Sequence, residues 1–510
     1  MTNKQQFIIN LAASLVNFVV NMGIGFAITP FIVSRIGAEA YGFAGLANNM
    51  IGYATLFTIA LNSVAGRFIT VAYHKGDKQK ADTYFASTFA ANIVMVLVLT
   101  VVAVPLIVNL DSVINISTHL VADVKWLFTF VYLKFAVATL TSVLSVATFI
   151  KNELYLSSLA NIAFSLVRIL AMVVCFSLFP TYVLFVGVAT CLAQLVLSAL
   201  NYYFAVKLTP ELTIKRKAIS FRATLEMLSS GIWNTVIKLQ QILQNGFSLL
   251  IANLAISPLH MGYLSIAQVV PNALMNLIGT ISGLFSPEQT RLFAQNNHDA
   301  LLAELKSGMR ITGLFTNIIV VTLLVNGQAF IDIWQPDQDT HLIYTLMMLI
   351  MSGFFFTGIA STLQAVPLLV NRLRNYSLLW LACGVVALIA TLIATEFLDW
   401  GIYGVAAIPQ CVDILANITF VPIYASICLK LPRTKFYFVY AQYILSTLVA
   451  SVIGFIAATI INIQHSGWLG LFAACAITAV ITVIVDSLLL LGNKERSIIL
   501  RKLIRKHSSI

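Results

Sequence analysis

Apolar runs long enough to cross a bilayer recur along almost the whole chain, and they leave little room for any other fold. A spanning helix needs about 20 mostly apolar residues. Fourteen such runs are read at 7–34, 44–66, 84–109, 122–150, 154–178, 181–206, 224–254, 260–286, 308–331, 342–370, 375–397, 401–429, 436–462 and 467–492. The loops between them are short, so no soluble domain is inserted. Composition agrees: of 510 residues, 59% are hydrophobic and 10% charged. A soluble core cannot hide that much apolar surface, whereas lipid is itself an apolar solvent. The expected fold is an all-α polytopic membrane protein of about 14 transmembrane helices.

The net charge of +11 would suggest nucleic acid in a soluble protein. Its distribution says otherwise. With a cytoplasmic N-terminus and alternating spans, 25 of the 30 Lys and Arg residues fall on the inner side, and only Arg35 and Lys125 fall outside. Cytoplasmic loops carry such a basic excess. Both termini are therefore expected in the cytoplasm, the basic surplus faces anionic membrane lipid, and no nucleic-acid partner is expected. The first apolar run lacks a convincing cleavage site and reads as a span.

Shifting the chain by 220 residues lays span 1 on span 7 and spans 4, 5 and 6 on spans 10, 11 and 12. Tyr41-Gly42-Phe43 falls on Met261-Gly262-Tyr263. Six is an even number of crossings, so the two copies run the same way, as in parallel transporter repeats. The expected organisation is an N-lobe at 1–206, a basic linker at 207–223, a C-lobe at 224–430, and two further helices with a basic tail at 431–510.

The polar residues inside the spans are the candidate site. Span 1 carries Asn10, Ser14, Asn17 and Asn21; span 7 carries Asn234, Lys238, Gln241 and Asn245. The shared 4, 3, 4 spacing lines one helical face. Such a face turns to protein or to a wet cavity, because lipid penalises it. Lys134, Arg168 and Lys238 sit near mid-span, where a charge costs about 2.5–3.5 kcal/mol on insertion scales. Two readings stand: cations lining a cavity between the lobes that receives an anion such as phosphate, or a structural ion pair with a membrane acid. The acids within reach are Asp413, Asp486 and Glu226. Asp413 either couples transport to an ion or neutralises a buried cation. Arg35 and Arg67 end spans 1 and 2, where they meet a headgroup at a cavity mouth or snorkel to the interface. Pro271, Pro367 and Pro409 interrupt spans 8, 10 and 12.

No phosphate loop, potassium filter, metal-ligand spacing or catalytic cluster is present. The chain is expected to be no enzyme and to need no cofactor or metal.

The stretch Pro30-Phe-Ile-Val-Ser-Arg-Ile-Gly-Ala-Glu-Ala-Tyr-Gly42, with Leu61-Asn-Ser-Val-Ala-Gly-Arg-Phe-Ile-Thr70 and the turn His74-Lys-Gly-Asp-Lys78, resembles the Wzx-like polysaccharide transporter family of the MOP exporter superfamily. The resemblance implies two MATE-like six-helix lobes plus two C-terminal helices. It implies a flippase in the bacterial cytoplasmic membrane that moves an undecaprenyl-pyrophosphate-linked oligosaccharide by alternating access. The cargo would be an O-antigen, capsule or exopolysaccharide unit. Proton or sodium coupling, a monomeric state, and pathway partners such as a polymerase and glycosyltransferases are expected with it. Multidrug exporters of the superfamily mostly carry cations and commonly hold a carboxylate in the first helix; span 1 here has asparagines instead. A lipid II flippase shares the fourteen-helix plan. A membrane glycan polymerase usually has a large outer loop, which this chain lacks.

Overall fold

A computed structural model of the chain describes residues 3–463, 466–492 and 495–496. All regular structure among them is helical. The basic tail beyond 496 lies outside the described residues.

The helices are α1 (Asn3–His74), α2 (Lys78–Val108), α3 (Thr118–Ile150), α4 (Leu154–Leu178), α5 (Leu184–Leu208), α6 (Phe221–Gln241), α7 (Pro258–Ala294), α8 (His298–Trp334), α9 (Thr340–Leu369), α10 (Leu373–Glu396), α11 (Gly401–Cys428), α12 (Tyr437–Ile461) and α13 (Gly467–Leu489). Twelve helical segments among the described residues are long and apolar enough to cross a membrane. The first of these is two crossings. The 72 residues of α1 would reach about 108 Å at 1.5 Å per residue, against roughly 30 Å of hydrocarbon. The break falls at Gly37, whose φ of 81° favours a residue without a Cβ. Helix α6 is long enough to cross but carries Asn234, Lys238, Gln240 and Gln241, and it continues through wide turns at Ile242–Gly246 and Ala252–Ile256. Counting both, the spans among the described residues number fourteen, at the positions read from the sequence.

The outer faces suit lipid. Val94, Leu97, Val98, Val101 and Val102 of α2 are all exposed, as are Ile460 and Leu469. Such a continuous apolar surface is stable in a bilayer and not in water.

Two compact units emerge, Met1–Ile266 and Ala267–Ile510. The division by packing differs from the division by repeat, because α6, which opens the second repeat, packs in the first unit. There Gly231 lies against the Ala60 carbonyl in the second half of α1, an approach that only a residue without a side chain allows. Positions equated by the 220-residue shift also touch within this unit. A Cβ built on Gly42 would stand 2.8 Å from the Gly262 Cα, and Gly45 lies against Ser265.

Buried amides join the helices of the first unit. Asn62 and Asn92 exchange two hydrogen bonds of 3.1 Å, and Asn92 also donates to Ser142 Oγ at 3.0 Å. These bonds tie α1, α2 and α3 in a medium that offers no competing water. The second unit has an aromatic core of Tyr376, Trp380, Phe436, Tyr440 and Tyr443.

Candidate functional site

The deep cations of the first unit come from different helices. Lys134 lies on α3 and Arg168 on α4, both partly buried. They are close enough for Lys134 to feel the charge of Arg168. The Arg168 guanidinium stands 5.9 Å from the centre of the Phe164 ring and within electrostatic reach of Tyr41. Tyr41 in turn shares a 3.3 Å hydrogen bond with Thr29. The Arg168 Nε is buried and has no hydrogen-bond partner among the described residues. A guanidinium with an unused buried donor, beside a second cation, is an arrangement that an anion would complete.

Among the described residues, neither Lys134 nor Arg168 nor Lys238 makes an ion pair. Of the acids the sequence offered as partners, Glu226 accepts a 3.0 Å bond from Tyr84, and Asp486 is bonded by Asn317. Asp413 is buried on α11, with Tyr376 and Cys383 of α10 within reach of its charge. The structural ion-pair reading of the three cations is therefore not observed. Lys238 is partly buried on α6, and it is not among the charges felt by Lys134 or Arg168.

The asparagine face of α1 divides into two functions. Asn10 is buried and locks the turn after α3: its Nδ2 donates to the Asn152 carbonyl at 2.8 Å and its Oδ1 accepts from Tyr155 N at 2.9 Å. Asn152 has φ 57°, a conformation asparagine tolerates. Asn21 Nδ2 donates to Asn17 Oδ1 at 2.7 Å, and Asn21 Oδ1 accepts from Ser165 Oγ at 2.5 Å. Ser165 lies one turn before Arg168 on α4, so this chain ends beside the guanidinium. On α6, Asn234 donates to Ser63 Oγ at 2.9 Å. Gln241 and Asn245 are exposed.

The wide turns of α6 were not legible in the sequence. A π turn leaves carbonyls outside the helical ladder, and in lipid each must be met. Tyr53 Oη donates to the Gly246 carbonyl at 2.8 Å and Asn49 Nδ2 at 3.2 Å. At the second turn, Asn253 and Asn115 exchange three bonds of 2.9–3.0 Å. Lys238, Gln241 and Asn245 lie within or just before the first of these turns.

Arg67 helps line a cavity of about 410 Å³ with Lys75, Lys80, Asp77, Tyr84 and Glu226. Its guanidinium rests 5.6 Å from the Phe68 ring, as Arg35 rests 5.6 Å from Phe31. In the second unit an apolar groove of about 580 Å³ opens between α8, α9, α11 and α12, lined by Tyr344, Met348, Phe355, Ile414 and Leu448.

Comparison with known proteins places this architecture. No known family profile matches the chain. A membrane protein described as uncharacterized, EpsK of Bacillus subtilis (strain 168), is 28% identical over 510 residues, which is 98% of either chain. Among solved structures, the lipid II flippase MurJ in an inward closed conformation superposes with a TM-score of 0.69 at 13% identity, over 98% of this chain and 100% of that one. An inward-facing MATE multidrug transporter of the MOP superfamily gives 0.62 at 13% identity, over 83% of this chain and 99% of its own. An outward-facing MATE multidrug transporter of the same superfamily gives 0.60 at 13% identity, over 84% and 97%. The chain is thus a multi-pass helical membrane protein with the fold shared by MOP-superfamily transporters.

Proposed function

We propose that the protein is a flippase that moves an undecaprenyl-pyrophosphate-linked oligosaccharide across the bacterial cytoplasmic membrane by alternating access. The observation that carries this reading is the pair of cations, Lys134 and Arg168, at membrane depth without an acid beside them among the described residues. Two neighbouring cations without an acid are costly in lipid and become favourable when an anion arrives. A pyrophosphate supplies that charge, and a guanidinium grips it with two hydrogen bonds. Cationic drugs, by contrast, would be repelled from this place. The likeness to a lipid II flippase fold over 98% of the chain supports a lipid carrier, and the apolar groove of the second unit suits a polyprenyl chain. Asp413 is our candidate for coupling to a proton or sodium gradient. Both termini face the cytoplasm in this proposal, and the cargo is handed between glycosyltransferases and a polymerase of the same pathway.

Deletion of the gene in its host tests the proposal. Lipid-linked oligosaccharide should accumulate on the inner leaflet, surface glycan should fall, and the wild-type chain should restore both. Normal surface glycan in the deletion strain, with no lipid-linked intermediate accumulated, would refute it.

A further inference from the structure

The second unit buries a carboxyl group that the cargo reading leaves unused. Asp486 lies on α13, the last helix described, and none of its surface is exposed. Helix α13 packs against α8 and α12. From α8, Asn317 Nδ2 lies 3.1 and 3.2 Å from the two carboxyl oxygens. From α12, Ser446 Oγ is a further hydrogen-bond partner. Asn317 and Ser446 are themselves fully buried, and the aliphatic surround is Val321, Ala450 and Val485.

The donors that could serve an ionised carboxylate here are few and neutral. Ser446 Oγ has one hydrogen, which it gives either to the Tyr443 carbonyl at 2.9 Å or to the Asp486 carboxylate. Thr447 Oγ1 donates to Asn317 Oδ1 at 2.7 Å, which fixes the amide with its NH2 toward Asp486. Asn317, whose amide also lies 3.3 Å from Ser446 Oγ, is then the donor that serves an ionised carboxylate without another bond being given up. If Asp486 carries a proton, it can donate that proton to Ser446 Oγ and accept from Asn317 while Ser446 keeps its bond to the Tyr443 carbonyl. The other titratable groups described around it do not supply a counter-charge. Tyr443 of α12 faces it. Arg310 of α8 lies toward the helix end, where it pairs with Glu495 at 3.7 Å. An anion buried without a cation is among the costliest groups in a protein interior.

We propose that Asp486 is a proton-binding site: it holds a proton while α13 is docked on α8 and α12 as here, and releases it only when these helices part or water enters between them. The ligand is a proton and not sodium, because the Asn317 amide presents its positive end to the carboxyl. This rests on no property of the cargo, so it stands or falls apart from the flippase reading.

Infrared difference spectroscopy of the purified full-length protein in lipid provides the test. At neutral pH the wild type should show a protonated-carboxyl band that Asp486→Asn lacks and Asp413→Asn retains. Absence of an Asp486-dependent band, or a carboxylate band that sodium shifts at constant pH, would overturn the proposal. Asn317→Leu keeps the carboxyl but removes its amide donor, so the band should move in that variant. A band unmoved by Asn317→Leu would also overturn it, even if Asp486→Asn failed to accumulate.

Discussion

Replacing Arg168 probes the anion reading most directly. In Arg168→Ala the guanidinium leaves, and with it the buried Nε that now lacks a partner. Nothing in the resting protein loses an ion pair, so the variant should reach the membrane in normal amounts. A hydrogen bond to a charged group contributes about 1.5–3 kcal/mol. At about 1.4 kcal/mol per tenfold, loss of one such bond to pyrophosphate weakens cargo binding by about 10- to 150-fold. Arg168→Lys keeps the charge and loses the planar fork, so it should fall between Ala and wild type. Surface glycan is measured in a deletion host complemented with each variant, normalised to protein in the membrane. The expected order is wild type, Lys, Ala. Wild-type export by Arg168→Ala would refute the reasoning, as would a variant that fails only because it is absent from the membrane. The second outcome would make Arg168 a folding residue, and its free Nε would then have no explanation in cargo.

Two further outcomes follow from particular contacts. Gly42→Ala places a Cβ 2.8 Å from the Gly262 Cα, with backbone on both sides. Over-packing of this kind costs about 1–3 kcal/mol, so the Tm in detergent should drop. Gly52→Ala, where a Cβ meets nothing within 4 Å, should leave it unchanged or raise it. A smaller loss for Gly42→Ala than for Gly52→Ala would contradict the close approach. The basic linker is latched by a chain in which Lys151 Nζ donates to Tyr73 Oη at 2.7 Å and Tyr73 Oη donates to Glu211. The Tyr73 bond holds the Glu211 carboxyl below its usual range, and the same hydroxyl raises Lys151 above its own. Glu211 therefore stabilises the latch above its ordinary value and ceases to do so as pH falls through the lowered one. Lys151 contributes below its ordinary value and is lost as pH rises through the raised one. Limited proteolysis at 209–219 should be flat around neutrality and faster in acid, and Glu211→Gln should abolish the acid limb.

Much of this was legible because lipid enforces a simple grammar. A span must be apolar for about 20 residues, and basic loops must stay inside. Those two demands set the fourteen helices, their limits and the expected orientation from composition along the chain. The rarity of mid-span charge likewise singled out Lys134, Arg168, Lys238, Asp413 and Asp486.

What the sequence could not settle was partnership, because most partners come from different helices and no local pattern records them. Asn10 and Asn21 have the same chemistry and lie on one face of one helix. Only the fold makes one a clamp on the Asn152 turn and the other a link toward Ser165 and Arg168. The π turns of α6 are invisible to periodicity, since they depend on Tyr53 and Asn49 arriving from α1 to meet Gly246. Asp486 reads in sequence as an acid in a spare helix. Its burial between Asn317 and Ser446, with no cation beside it among the described residues, is decided by helix packing alone. Apolar length and charge sign determined where the chain crosses the membrane, because each residue meets lipid or water by itself. Which polar groups are satisfied and which are left open for an ion or a cargo is a property of pairs, and only the tertiary structure makes the pairs.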